Sequence, residues 1–274
     1  MDSTRTDAYL RRIGAARPIA PDLEALRELQ WRHLVAVPFE NLSIHLGEDI
    51  VLEGPALVGK VVERGRGGFC FELNGAFAEL LTTLGYRVSL LAGRVMGPDG
   101  RFGIPFDHLA LRVEARGTDE PFLVDIGFGR NSHRPLRLDE RGEQPDPAGV
   151  FRITETKDGD LDVSRDGEVQ YRLERRPREL ADFEAGSWWH RTSPASPFTR
   201  SVLCSRLTGS GDRVTLTGRR LVTSGPGGRE ERELAEDEIL PAYREHFGIE
   251  LERIPEVHSR PSSASAHAGP SARR

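Results

Sequence analysis

One of the two cysteines in the chain follows directly behind a group of glycines. Residues 65–74 are GRGGFCFELN, and a helical pattern of apolar residues follows Cys70. A helix that begins at Cys70 or Phe69 would hold the sulfur near unpaired N–H groups and the positive end of the helix dipole, which stabilise a thiolate. The same N–H groups could receive an oxyanion, so the pattern indicates a nucleophile. Considered alone, Cys70 fits a small buried core residue about as well.

A nucleophilic thiol needs a base, and the base needs a group that orients it. His108 begins the apolar strand pattern HLALRV, and Asp125 lies within FLVDIGFG among apolar residues. The strand after His108 supplies Asp125, so an antiparallel pair would make them neighbours. A buried carboxylate needs a partner, and an ion pair with Arg112 is the alternative role for Asp125. Together, Cys70, His108 and Asp125 fit the nucleophile, the base and the orienting acid of a catalytic triad.

Metal binding is the competing chemistry, and the spacing of the ligand types does not favour it. The chain has no CxxC or HExxH motif and no Cys/His pair at ligand spacing around Cys70, so we predict no metal site. His190 stands beside Trp188 and Trp189, which predicts an aromatic packing cluster. Cys204 alternates like a core strand residue in SVLCSRL, which predicts a structural role.

The composition limits the class of protein. The chain has 274 residues, of which 37% are hydrophobic and 30% charged, and a net charge of −5, without the basic excess that nucleic-acid binding needs. Two cysteines cannot form a disulfide framework, which favours a reducing compartment. The first residues lack the apolar segment of a secretory signal, and no stretch approaches the roughly 18 apolar residues of a membrane span. We therefore expect a cytoplasmic protein without nucleic-acid or membrane partners.

The elements that must position these residues change in type along the chain. Helical patterns dominate the first third: one helix begins at Pro21 and stops before Pro38, and another runs from Cys70 or Phe69 to Gly85. Short strand patterns follow, including a hairpin in FRITETKDGDLDVSR with Asp-Gly-Asp at its tip. Helices followed by strands favour an α+β fold with segregated elements over a Rossmann-like alternation.

The last quarter of the chain adds further strands and a helix. The strand pattern continues from about Ser201, and LAEDEILPAYREHFGI predicts a helix that Pro241 must kink or begin. Residues 255–274 are rich in Ser, Ala and Pro, so we predict a disordered tail.

Several motifs resemble those of a known family. RGGFCFELN resembles R-G-G-x-C-x-E-x-N, the cysteine motif of the arylamine N-acetyltransferases, and VPFENLSIH, DHLALRV, LVDIGFG and TSPASPFTRSVLCSR resemble further segments of that family in order. The resemblance extends from about Leu10 to about Ile249. It implies an α+β fold of three domains with a triad arranged as in papain and transglutaminases. These domains are a helical bundle (1–86), a β-barrel with a linker (87–200) and an α/β lid (201–254).

The resemblance also implies an activity. Acetyl-CoA would acetylate Cys70, CoA would leave, and an arylamine, arylhydrazine or N-hydroxyarylamine would attack the thioester in a ping-pong sequence. His108 is implied as the base, Asp125 as its orienting acid, and the Cys70 N–H as an oxyanion donor. Acetyl-CoA is thus a co-substrate, no metal is implied, and xenobiotic metabolism is the expected role. A homo-oligomer is left open.

Further residues receive supporting roles from the resemblance. Three match motif positions and are expected to shape the loop and the domain junction: Arg66, Glu72 and Asn74. Four are expected to line the pocket of the aromatic acceptor: Phe39, Val95, Gly127 and Phe128.

Two other enzyme classes fit the same triad. An amide synthase that closes ansamycin-type macrolactams would hold a polyketide acyl chain on Cys70 until an aryl amine attacks it. A thiol hydrolase of the papain or transglutaminase type would use water as the acceptor. A binding module without catalysis is the weakest alternative, because all three triad residue types stand at motif positions.

Overall fold

The N-terminal part of the molecule is helical. The computed structural model describes residues 1–130 and 132–257. Its first elements are helices α1 (Ser3–Ile13) and α2 (Leu23–Ala36), the short strand β1 (Phe39–Glu40), and helices α3 (Leu42–Leu46), α4 (Gly54–Val62) and α5 (Cys70–Thr83). The Asp22 carboxylate caps α2 by accepting a hydrogen bond from the Ala25 N–H at 2.9 Å. The predicted start of α5 at Cys70 is confirmed, and Gly85 follows its end with φ +98°, a value that favours glycine.

An antiparallel sheet of eight strands follows and forms a nearly closed barrel. The strands are β2 (Arg87–Val95), β3 (His108–Glu114), β4 (Pro121–Val124), β5 (Leu136–Arg137), β6 (Gln144–Asp146), β7 (Gly149–Glu155), β8 (Leu161–Arg165) and β9 (Glu168–Arg178). Their order is β5-β4-β3-β2-β9-β8-β7-β6. The Gln144 side chain joins the two edge strands, because its amide accepts from the Arg137 N–H at 2.8 Å and donates to the Arg137 carbonyl at 3.0 Å. The predicted hairpin is confirmed as β7 and β8, with Glu155 opposite Leu161.

The C-terminal part combines a second sheet with one helix. The remaining elements are a 3-10 helix (Leu180–Phe183), α6 (Glu184–Thr192), α7 (Pro197–Arg200), strands β10 (Leu203–Leu207), β11 (Arg213–Thr217), β12 (Arg220–Gly225) and β13 (Gly228–Glu233), and α8 (Glu236–Phe247). The sheet order is β1-β10-β11-β12-β13, so an N-terminal strand completes this sheet. Pro241 lies inside α8 rather than at its start. The part of the predicted tail from residue 258 onward lies outside the described residues.

Alternating side chains let strands β3 and β4 contribute to two cores at once. In β3, Leu109 and Leu111 pack against the helices, whereas Ala110 points into the barrel. In β4, Val124 packs toward the helices and Leu123 into the barrel. By the same alternation, the side chains of residues 108 and 125 lie on the barrel side, at the ends of their strands.

A third core lies between α8 and the C-terminal sheet. It contains Leu42 from the N-terminal part together with Cys204 and Tyr243. Because residue 42 packs there, the cores do not follow the predicted boundaries residue by residue, and those boundaries stay a prediction. No helix among residues 1–130 and 132–257 is both long and apolar enough to span a bilayer.

Candidate active site

Two glycines allow the loop before α5 to lie directly against its neighbours. A Cβ atom at Gly67 would lie 1.9 Å from the Pro38 carbonyl oxygen, and one at Gly68 would lie 2.6 Å from the Glu72 side chain. The Gly68 carbonyl accepts a hydrogen bond from the Glu40 N–H at 2.9 Å, so the loop pairs with β1. Any larger side chain at Gly67 would force the loop away from β1. The glycines thus set where α5, and with it Cys70, begins.

A buried network of charges fixes the same loop. Arg66 forms ion pairs with Glu40 and Glu48, each at 3.0 Å, and Lys60 pairs with Glu72 at 2.5 Å. Burial raises the pKa of Glu72 in spite of Lys60, whereas Lys60 and Arg66 outweigh burial at Glu40 and lower its pKa. Arg66 and Glu72, which were predicted to shape the loop, therefore connect it to β1 and α4.

His108 and Asp125 form a buried pair. The His108 Nε2 lies 2.8 Å from the Asp125 Oδ2, and the two residues are 1% and 3% exposed. His108 is the first residue of β3, and Asp125 follows the last residue of β4. Because Leu111 on β3 pairs with Val124 on β4, His108 and Asp125 are diagonal neighbours on one face of the sheet. Arg112, the alternative partner considered for Asp125, instead pairs with Glu114 at 2.5 Å.

Asn74 joins helix α5 to both strand ends. Its side-chain amide donates to the Leu109 carbonyl at 2.6 Å and to the Asp125 Oδ1 at 3.0 Å, and it accepts from the Ile126 N–H at 3.1 Å. Asn74 is completely buried, so these bonds are made away from water. One side chain on the helix that carries Cys70 thus positions both the histidine strand and the aspartate.

The charges of His108 and Asp125 stabilise each other against burial. Burial lowers the pKa of His108, but the charge of Asp125 and hydrogen bonds to Asp125 and Cys70 raise it well above the ordinary 6.5. Burial raises the pKa of Asp125, but His108, Asn74 and the Gly127 N–H lower it below its ordinary value. At neutral pH this environment favours an imidazolium paired with a carboxylate.

Cys70 lies within hydrogen-bonding contact of this pair. His108 makes a side-chain hydrogen bond with Cys70, and because its Nε2 faces Asp125, Nδ1 is the nitrogen left for the thiol. The Cys70 thiol also donates to the Asp107 carbonyl, with a sulfur–oxygen distance of 3.8 Å. Cys70 is the first residue of α5, so its N–H belongs to the turn whose N–H groups have no acceptor within the helix.

A second histidine packs on the other side of the Asp107 carbonyl. The His190 Nε2 lies 3.0 Å from that oxygen, and the His190 ring contacts the rings of four aromatic residues: Phe69, Phe71, Trp189 and Phe198. The predicted aromatic packing of His190 is therefore confirmed. Burial lowers the pKa of His190 to about 4. Burial also raises the pKa of the Asp107 carboxyl, which accepts a hydrogen bond from the Val95 N–H, to about 6.

The four predicted pocket residues occupy different surroundings. Phe128 packs edge-on against the His108 ring at 5.3 Å between centroids, and the Phe39 ring lies 5.9 Å from that of Phe198. Val95 ends strand β2. Gly127 faces the helix, because a Cβ atom there would lie 2.7 Å from the Cys70 Cα. Gly127 therefore permits close contact between the aspartate loop and α5.

Tyr171 is a site residue that the sequence did not reveal. It makes a side-chain hydrogen bond with Asp125, and its ring lies 5.0 Å from that of His108 and 4.8 Å from that of Phe128. Burial, followed by the Asp125 charge, raises the pKa of Tyr171 well above 10. Strand alternation in EVQYRLE was the available signal, because it places Tyr171 on the same side as Leu173, inside the barrel.

Cys204 has a very different environment. It is fully buried in β10, in the core that α8 covers. Burial raises the pKa of its thiol well above 9, and the Glu40 charge adds to this effect. The predicted position of Cys204 in a core strand is confirmed.

Comparisons with known proteins define the class. A family model described as N-acetyltransferase matches residues 22–257. The arylamine N-acetyltransferase of Mycobacterium tuberculosis is 34% identical over 91% of this chain and 90% of its own length, and human arylamine N-acetyltransferase 1 is 33% identical over 90% and 94%. The structure of the Mycobacterium marinum arylamine N-acetyltransferase in complex with CoA has a TM-score of 0.81, with 33% identity over 89% of this chain and 92% of that one.

These matches, together with the fold, define an acyltransferase enzyme. The chain belongs to the arylamine N-acetyltransferase family.

Proposed function

We propose that this enzyme transfers an acetyl group from acetyl-CoA to the amine of an arylamine, arylhydrazine or N-hydroxyarylamine through a thioester on Cys70. One observation carries the proposal: His108 contacts Cys70 on one side and the Asp125 carboxylate, at 2.8 Å, on the other. A buried carboxylate behind the imidazole stabilises the imidazolium that forms when the histidine takes the thiol proton.

The first half of the reaction moves the acetyl group to the enzyme. In the starting state His108 holds the proton of Cys70 as an imidazolium, and the Cys70 thiolate attacks the carbonyl carbon of acetyl-CoA. The N–H of Cys70 stabilises the negative charge on the carbonyl oxygen. The new bond joins the acetyl carbon to Cys70, the bond to the CoA sulfur breaks, and the proton on His108 leaves with CoA as its thiol.

The second half moves the acetyl group to the acceptor. The amine nitrogen attacks the thioester carbon, His108 takes a proton from that nitrogen, and the bond to Cys70 breaks. Phe128, packed against His108, and Phe39 provide aromatic surfaces for an aryl acceptor. The proton stays on His108 beside the released Cys70 thiolate, so the enzyme returns to its starting state.

A panel of acceptors tests the proposal. CoA release from acetyl-CoA is measured with an aniline, with an arylhydrazine and with no amine, and the N-acetylated product is identified by mass spectrometry. We expect release that depends on the amine, parallel double-reciprocal plots, and no product with Cys70→Ala. Equal release without an amine would indicate a hydrolase. Failure with every small aryl amine would contradict the proposal and favour the macrolactam alternative.

A further inference from the structure

The loop between strands β2 and β3 ends at the candidate active site. It spans residues 96–107, so its last residue is Asp107 and the residue that follows it is His108. The Asp107 carbonyl oxygen lies 3.8 Å from the Cys70 sulfur and 3.0 Å from the His190 Nε2. The main chain at this end of the loop therefore sets where the base lies relative to the nucleophile.

Phe106, near the end of this loop, has a left-handed backbone with φ +60°. Among the described residues, Asp166 is the one other non-glycine residue with a positive φ, and Asp adopts this region more readily than a bulky side chain does. Phe106 follows Pro105 in a turn, a position that glycine usually holds when φ is positive. A strained residue persists only where its surroundings hold it, and such residues cluster at functional sites.

Two elements hold the ring of Phe106. From β9, the Arg178 guanidinium lies over the ring, 4.9 Å from its centroid. From the 3-10 helix, the completely buried Phe183 packs edge-on against the same ring at 5.7 Å between centroids. A cation and a buried aromatic side chain therefore fix the ring in one place.

Helix α6 holds the main chain of the same turn. A Cβ atom at Gly186 would lie 2.2 Å from the Phe106 carbonyl oxygen, so the helix approaches this carbonyl as closely as a glycine allows. His190, four residues further along α6 and therefore on the same face, reaches the Asp107 carbonyl. Two successive carbonyl groups of the loop thus face α6, and the helix fixes both.

We propose that Phe106 is a positioning residue for acetyl transfer, whose held left-handed backbone directs the His108 imidazole at Cys70. The contacts with β9 and α6 offset the backbone strain, and the geometry of the next two residues depends on them. For its effect on turnover this inference rests on the proposed function, whereas its effect on the Cys70 thiol does not depend on any acceptor.

The first test variant moves the turn without changing its sequence. Gly186→Ala adds a methyl group that would overlap the Phe106 carbonyl oxygen, so the turn must shift away from the helix. Alanine favours a helix more than glycine does, so α6 itself is not weakened. We expect kcat/KM for acetyl-CoA to fall by about 10²-fold, because a displacement of about 1 Å suffices for such a loss.

The next two variants change Phe106 itself. Phe106→Ala removes both ring contacts and lets the turn relax, so kcat/KM should fall by about tenfold or more. Phe106→Tyr keeps the ring beside Arg178 and Phe183 and should remain within about threefold of the wild type.

Alkylation of Cys70 by iodoacetamide at two pH values separates positioning from packing. At pH 9 an ordinary thiol is largely ionised, whereas at pH 6 it needs an imidazolium beside it. Gly186→Ala and Phe106→Ala should lower the rate at pH 6 by about tenfold or more and leave the rate at pH 9 within about threefold. The titratable groups around His108 are unchanged in every variant: Cys70, Asp107, Asp125, Tyr171 and His190.

Matched controls carry similar changes away from the turn. Phe102→Leu removes a ring from an earlier part of the same loop, where the Arg172 guanidinium lies over it at 4.5 Å. Gly59→Ala adds a methyl group to α4, where the Glu63 carboxylate, 3.4 Å away, can move aside. Cys70 should react at the wild-type rate at pH 6 in both controls, and thermal unfolding of every variant checks that the fold is kept.

The outcomes distinguish this inference from the function on which its kinetic part rests. If Cys70 reacts at pH 6 as fast in both test variants as in the wild type, Phe106 only packs and the inference is wrong. Equal slowing at pH 6 and pH 9 would also overturn it, because that result reports lost access to the sulfur. If Phe106→Ala does not fold, Gly186→Ala decides. If the wild type transfers no acetyl group, the proposed function fails, and alkylation still decides whether Phe106 positions His108.

Discussion

His108 and His190 are both buried beside Asp107, yet their environments favour opposite charge states. The His190 Nε2 faces the Asp107 carbonyl, and burial lowers its pKa to about 4. His108 is buried at least as deeply, but the Asp125 carboxylate raises its pKa well above 6.5. Burial alone keeps an imidazole neutral, and a carboxylate partner reverses that effect. The comparison teaches that a carboxylate partner, more than the depth of burial, decides which of the two imidazoles can hold a positive charge.

The largest expected effect comes from exchanging each histidine in turn. His108→Gln should lower kcat/KM for an arylamine by about 10³-fold or more, because no other side chain takes the thiol proton. His190→Gln keeps a donor for the Asp107 carbonyl and should lower it by less than about tenfold. Steady-state kinetics with acetyl-CoA checks both variants. Equal losses would show that the two histidines share the role.

Removing the charge of Asp125 should give His108 the same neutral charge state as His190. In Asp125→Asn, burial becomes the dominant effect on the pKa of His108 and lowers it, so His108 becomes neutral. We expect kcat/KM to fall by about 10²- to 10³-fold. Alkylation of Cys70 by iodoacetamide at pH 6 should slow as well, while the wild-type thiol should react far faster than Cys204. Asp107→Asn, a buried acid adjacent to His108, is the matched control and should cost less than about tenfold. An unchanged alkylation rate in Asp125→Asn would contradict the claim that Asp125 sets the charge of His108.

A smaller effect is expected from Tyr171, which acts through Asp125. Tyr171→Phe keeps the ring beside His108 but removes a donor to the carboxylate, so kcat/KM should fall by about five- to tenfold. The pKa of Asp125 should rise, which would move the acid limb of the pH–rate profile to higher pH. Tyr243→Phe, in the C-terminal core, should change neither quantity. An unmoved acid limb would assign Tyr171 to packing alone.

The last prediction concerns stability rather than catalysis. The pKa of His190 is about 4 in the folded state and 6.5 ordinarily, so below pH 6.5 the unfolded chain binds a proton that the folded chain does not. The free energy of unfolding should therefore fall as the pH drops, by about 2 kcal/mol from this group at pH 5. The raised pKa of His108 has the opposite sign: its contribution is present below pH 6.5 and is lost as the pH rises through the folded value. Urea unfolding at pH 5 and 7.5 should show a weaker pH dependence in His190→Gln, and an unchanged dependence would refute the assignment.

Local patterns in the sequence were sufficient to predict much of the fold. The start of α5 at Cys70, the hairpin of β7 and β8, and the adjacent strands that bring His108 to Asp125 are set by capping, turn chemistry and alternation over a few residues. Helix α8 begins at Glu236, and the Glu238 carboxylate caps this end by accepting a hydrogen bond from the Ala235 N–H. Pro241 therefore lies inside the helix. That capping signal is present in the sequence, three residues after Ala235.

Contacts between distant segments were not predictable in the same way. Asn74 meets Asp125 from 51 residues away, and one cavity brings Arg130 together with Arg213 from the second sheet. Gly127 was predicted to line the acceptor pocket, which stays a prediction, and its close contact with the Cys70 backbone follows no sequence pattern. Such contacts depend on how helices, barrel and sheet pack together, which a single sequence does not encode in any short pattern.

The central claim is that Cys70 carries the acetyl group between donor and acceptor. The most direct test is intact-protein mass spectrometry, followed by peptide mapping, after brief incubation with acetyl-CoA in the absence of an amine. The account predicts a gain of about 42 Da on the peptide that contains Cys70, its loss after an arylamine is added, and the same gain in Cys204→Ala. An acetyl group found elsewhere, or one that persists in Cys70→Ala, would contradict it.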